Sequence, residues 1–222
     1  MTHSYGTSQF LLIRRALVQN SLPSASAAAA ALVEIGRWVS ARDWVPATSG
    51  NLSLRTDSGA IAITRSGVDK GSLTAQDILL VDLDRPTTPG TSAETPLHLA
   101  AYRCLPDVNA VLHTHSRAAT LLSRRYAAKG GLTAEGFELQ KGIAGVTTHE
   151  GALTLPIYDN TQDIEALAEQ VEQTGGYAAP AHGLLLAGHG LYVWGKSEAE
   201  ARRHLVAWEF LMDCVLEEER AR

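Results

Sequence analysis

The 222 residues contain only two cysteines, Cys104 and Cys214. Both fall in helix-like patterns, so a disulfide framework is not expected, and the cytoplasm is the expected compartment. No apolar stretch is long enough to span a bilayer. Basic residues are not in excess: 19 Lys and Arg stand against 24 Asp and Glu, for a formal charge of −5. A nucleic-acid binder would need a basic patch or stripe, whereas here both signs are scattered along the chain. The opening "FLLIRRALVQNSLP" (10–23) makes a poor secretory signal, because two arginines break its apolar part and no cleavage site follows. Residues 1–22 are expected to form a flexible lead-in, followed by a single domain over 23–222. No repeat or low-complexity linker divides that domain, and it contains no P-loop. These absences leave a globular protein for which neither nucleic acid nor membrane is an expected partner.

What is present alternates between helical and extended patterns. "SASAAAAALVEIGRWVSARDW" (24–44) is alanine-rich with Leu32, Ile35 and Val39 at helical spacing, and Ser24 or Ser26 can cap it. "GNLSLRTDSGAIAIT" (50–64) switches to period two around a turn, which predicts a hairpin. Further strands are expected at 77–84, 108–116 and 152–159, with a pair around glycines over 182–195. Helices are expected at 94–105, 117–129 and 163–174. A last helix opens at Ser197, which has capping-box spacing to Glu200. Tight turns join several neighbouring strands. That predicts an α/β fold with a mixed or mostly antiparallel sheet and helices on its faces, rather than a doubly wound parallel one.

Eight histidines occur, and three have distinctive settings. His113 and His115 stand in "AVLHTHS" (110–116), straight after an apolar run. Side chains alternate on a strand, so the two point the same way, about 7 Å apart at Cα. Imidazoles at that spacing can share one tetrahedral metal ion, although H-x-H alone is weak evidence and more often means two unrelated polar residues leaving a strand. His189 stands between Gly188 and Gly190, where the backbone can turn tightly and approach another segment closely. It can be a third ligand or one residue of an ordinary hairpin turn. Three histidines with an open fourth position describe a catalytic site, in which the metal polarises a carbonyl. His98 is expected to pack or support, while His149, His182 and His204 have no comparable setting.

Two loops put Ser-Gly beside a strand. These are "ATSGNLSLR" (47–55), with Ser49, Gly50 and Asn51, and "TRSGVDKG" (64–71), with Ser66, Gly67 and Lys70. Exposed backbone N–H groups in such loops can cradle an anion, and Lys70 supplies a point charge for a phosphate. Ordinary turns have the same composition. Taking a proton from carbon requires a base, and two acids stand out: Glu94, at the start of the helix before the histidine strand, and Glu138, in the glycine-rich "GFELQKGIAG" (136–145). The residues alone do not choose between them, and a solvated surface is the usual fate of a glutamate.

Taken together, "SGNLSLR", "SGV", "ETPLHLAAY", "VLHTHS" and "GHGLYVWG" resemble, in order, the motifs of the class II aldolase/adducin family, over about residues 26–216. The resemblance implies an α/β/α sandwich and one zinc ion per subunit, held by His113, His115 and His189. It also implies a homotetramer with active sites at subunit interfaces, acting on a small sugar phosphate. "FELQKGIAG" and the Trp194 motif are most similar to the family's hydro-lyase branch, which dehydrates a methylthio-substituted ketopentose 1-phosphate in methionine salvage. That likeness makes Glu138 the acid/base. Glu94, nineteen residues before His113, stands where the family's sugar-phosphate aldolases keep their catalytic glutamate, so an aldolase or epimerase is the alternative. Adducin-like members bind partners without catalysis, and the three retained histidines argue against that role here.

Overall fold

The computed structural model describes residues 22–84 and 88–221. All but the last residue of the expected lead-in over 1–22 lies outside the described residues. The elements run α1 (Ala25–Ser40), β1 (Asn51–Arg55), β2 (Ile61–Thr64), β3 (Ile78–Val81), α2 (Thr95–Cys104), β4 (Ala110–Thr114), α3 (Arg117–Tyr126), β5 (Gly131–Ala134), β6 (Leu153–Tyr158), α4 (Ile164–Gln173), β7 (Gly183–Leu186), β8 (Gly190–Gly195) and α5 (Glu198–Arg220).

The local signals act largely as read. Ser24 caps α1, its side chain accepting from the Ala27 N–H at 3.3 Å. Pro96 sits in the first turn of α2, where its missing N–H costs nothing. The Ser197 hydroxyl accepts from the Glu200 N–H, but the Glu200 carboxylate reaches the Lys196 N–H, one residue beyond the position a capping box uses. The α1 pattern read over 24–44 stops at Ser40, and Asp43 takes a left-handed φ of 57°. Strand β5 was not expected: only four residues long and containing Gly131, it has too few positions to show a period.

The strands form one sheet in the order β3-β2-β1-β4-β8-β7-β6-β5. Only β6 and β7 pair in parallel; every other neighbouring pair is antiparallel. The mixed, mostly antiparallel sheet expected from the tight turns is therefore present. Leu32, Ile35 and Val39 of α1, Leu122 of α3, and Leu205, Trp208 and Met212 of α5 pack on one face. Leu97 and Leu99 of α2 and Leu167 and Val171 of α4 pack on the other. The result is an α/β/α sandwich.

Strand alternation fixes the site. On β4, Ala110 and Leu112 join the core beneath α1, α3 and α5, while Val111 joins the core beneath α2 and α4. His113 and His115 therefore share the α2 side, and Thr114 faces α5. The register aligns Asn51 of β1, His113 of β4 and Tyr192 of β8 in one row across the sheet.

Candidate metal centre

The three histidines converge. His115 Nε2 lies 2.8 Å from His113 Nε2, His189 Nε2 lies 3.1 Å from that of His115, and His113 and His189 are 3.3 Å apart at Nε2. Two of the rings are oriented from behind. His113 Nδ1 lies 3.0 Å from the Leu191 carbonyl and donates to it, and His189 Nδ1 lies 3.2 Å from Asn160 Oδ1. With each Nδ1 carrying the proton, the Nε2 lone pairs face one another, an arrangement that a shared cation relieves. Burial strengthens the case. It holds the His113 imidazole well below its ordinary pKa, and burial followed by the nearby His189 lowers His115 to about 4. Both rings are thus neutral near pH 7, the form that ligates metal.

Glycines make this convergence possible. Gly188 has a φ of +68°, which turns the chain, and a Cβ on Gly190 would lie 2.1 Å from the Thr114 carbonyl oxygen. Both uses read into "GHG" are present. The α3 helix fixes the turn, with Ser123 Oγ accepting from the Gly188 N–H and Thr120 Oγ1 donating to the His189 carbonyl.

Glu94 stands with the histidines. Its Oε1 lies 2.8 Å from His189 Nε2, and Oε2 lies 3.6 Å from His113 Nε2. Asn51 Nδ2 donates to Oε2 at 2.6 Å. Burial alone would raise the carboxyl pKa, but the His189 contact and the surrounding histidines more than offset it, so the group stays ionised. Glu94, His113, His115 and His189 each offer one ligand atom, and these four atoms lie within 4.8 Å of one another. Three nitrogens and one carboxylate oxygen at this spacing suit a tetrahedral divalent cation.

Glu138 is elsewhere. It opens a 3-10 turn over Glu138–Gly142. Its carboxylate is 70% exposed and pairs with Lys141 at 2.6 Å and His149 at 3.0 Å. It is not among the four grouped residues of its own chain.

Lys70 ties the two Ser-Gly loops together. Its side chain is buried, and Nζ donates to the Thr48 carbonyl at 2.9 Å and the Val68 carbonyl at 2.7 Å. Burial lowers its pKa, against the opposing pull of Asp69 and Glu94. An ammonium has three protons, so one remains after these two bonds. Gly50 has a φ of +74°, and a Cβ there would lie 2.7 Å from the His113 carbonyl oxygen, so this loop runs directly against β4. Ser49 Oγ and Asn51 Oδ1 are buried without hydrogen-bond partners among the described residues. Ser66 and Gly67 lie on the exposed rim of the second loop.

Other participants carried no sequence signal strong enough to single them out. Tyr192 stacks on His113 with ring centroids 3.8 Å apart and planes 13° from parallel. Asn160 meets His189 from a loop. His98 supports as expected: it is buried, and its Nδ1 lies 2.7 Å from Ser53 Oγ. His182 and His204 form a stacked pair, and His204 Nε2 accepts from the Ala144 N–H at 3.0 Å.

A profile of the class II aldolase and adducin N-terminal domain matches residues 30–216. The chain belongs to the class II aldolase and adducin family. Among relatives in that family, the methylthioribulose-1-phosphate dehydratase of Sorangium cellulosum is 48% identical over 88% of this chain and 94% of its own. The dehydratase of the same name from Marinobacter nauticus is 49% identical over 88% and 95%. Among solved structures, the L-fuculose-1-phosphate aldolase of Thermus thermophilus superposes with a TM-score of 0.69 at 30% identity, covering 86% of this chain and 95% of that one. No helix among the described residues is long and apolar enough to cross a membrane.

Proposed function

We propose that the protein is a zinc-dependent methylthioribulose-1-phosphate dehydratase. It converts 5-methylthio-D-ribulose 1-phosphate to 2,3-diketo-5-methylthiopentyl 1-phosphate in methionine salvage. The observation that carries the chemistry is the convergence of three imidazoles and one carboxylate at the end of β4. The likeness to two dehydratases over nearly their whole length carries the substrate.

Zinc bound at His113, His115 and His189 would supply Lewis-acid polarisation of the substrate's C2 carbonyl. The chain's own residues do the rest. The phosphate lies against the 48–53 and 65–71 loops, where Ser49 Oγ and the remaining Lys70 proton are donors without partners among the described residues. Glu138 takes the C3 proton. The C4 hydroxyl leaves as water, protonated by the same glutamate, and the resulting enol tautomerises to the diketone. An exposed Glu138 outside its own chain's cluster can do this only for the cluster of a neighbouring subunit. We therefore read the active unit as a homotetramer with sites at its interfaces, located in the cytoplasm.

A second reading is favoured by one specific observation: Glu94, not Glu138, touches the histidines within the chain. With Glu94 as the base, the same site would suit retro-aldol cleavage of a ketose phosphate. Product masses separate the two readings. Incubating the zinc-loaded protein with 5-methylthioribulose 1-phosphate should give a product lighter by one water with its carbon chain intact. Two smaller fragments would establish cleavage instead.

A further inference from the structure

Helix α5 carries an apolar stripe, with Ala201, Leu205, Trp208, Leu211 and Met212 all buried. Glu209 stands within this stripe and is only 2% exposed. A buried carboxyl is costly unless it is paired and hydrogen-bonded. Among the described residues no cation pairs with it. Its charged neighbour on α5 is another acid, Asp213, and burial raises its pKa to about 7. A leucine at this position would fill the space more cheaply.

The contacts of Glu209 lie on the strand that carries the histidines. Thr114 Oγ1 donates to Glu209 Oε1 at 3.1 Å. The Ser116 hydroxyl bears on the same carboxyl, and because its oxygen already accepts from the Ala119 N–H, its proton is the part left to give. Positions 114 and 116 alternate with 113 and 115. The carboxyl thus grips β4 and its extension from the α5 face at the two residues flanking His115. The metal site uses the opposite face of the same four-residue stretch.

We infer that Glu209 is a positioning residue of the metal centre, holding Thr114 and Ser116 so that His113 and His115 converge on one ion. It touches neither substrate nor metal and acts through the strand. The inference rests on the metal-site reading above. It predicts that the Glu209 contact matters more to the geometry of the site than to the stability of the fold.

The test measures zinc affinity by competition with a chromophoric chelator, alongside the melting temperature of the metal-free protein. If the unsubstituted protein takes up no zinc, the metal-site reading itself fails. If it does bind zinc, Glu209→Leu should weaken zinc binding about 10- to 100-fold, as loss of a supporting partner does at other metal centres, while the metal-free melting temperature holds or rises. Glu209→Gln, which keeps an acceptor oxygen, should recover most of the affinity. Thr114→Val should reproduce the loss in the unsubstituted background and add nothing to Glu209→Leu; it also serves as the test if the leucine variant does not fold. Unchanged zinc affinity in folded Glu209→Leu and in Thr114→Val, with any loss confined to melting temperature, would overturn the inference.

Discussion

His115→Ala should leave a folded protein that retains no zinc and has lost at least about a thousand-fold in kcat/KM. Lewis-acid stabilisation by a bound metal amounts to several kcal/mol, and each 1.36 kcal/mol is about a factor of ten in rate. The fold should survive, because His115 lies just beyond the last residue of β4 and is not part of either apolar core. Removing the ring also removes an imidazole that burial keeps neutral, so no buried charge is stranded. Elemental analysis and circular dichroism on one preparation check both halves of this expectation. A variant that kept its zinc and its rate would show that His115 is not a ligand of the metal on which turnover depends.

Glu138→Gln should lower kcat by about 100- to 10,000-fold, the usual contribution of a positioned acid/base, while zinc content stays normal. The structure adds a sharper expectation. Because Glu138 is exposed, pairs with Lys141 and His149, and stands outside its own chain's histidine cluster, the proposed acid/base role requires its chemistry to be delivered across a subunit boundary. Two inactive variants should therefore rescue each other. If Glu138→Gln and His115→Ala subunits are dissociated, mixed and reassociated, some sites will combine an intact cluster from one subunit with an intact Glu138 from another, and activity should return. No recovery in demonstrably mixed oligomers would confine the chemistry to one chain and make Glu94 the base. Full activity of Glu138→Gln alone would remove Glu138 from the mechanism.

Much of this architecture was legible in the sequence, for physical reasons. Alternation along "VLHTHS" assigns both histidines to one side of β4, and the helix and turn signals locate most elements to within a few residues. Glycines on both sides of His189 announce a tight turn and a close approach, and both are present. Tertiary contacts hid the remainder. Strand β5 is too short to show a period. Lys70 reads as a free point charge in a glycine-rich loop, yet folding buries it between two carbonyls, which no local pattern encodes. The two glutamates are equivalent by composition, and only the fold places Glu94 beside the histidines and Glu138 at the surface. Tyr192 and Glu209 lie in apolar stripes that suggest core packing. Their partners, His113 and Thr114, are distant in sequence and adjacent only across the sheet or between layers.

The central claim is that the three histidines hold the metal on which turnover depends. It is tested most directly by stripping the protein with a chelator and returning zinc in measured steps while following dehydration of 5-methylthioribulose 1-phosphate. The account predicts no turnover in the stripped protein, then a linear rise that ends at about one zinc per chain, the capacity of a single three-histidine site. Undiminished turnover in protein shown to be metal-free would contradict it.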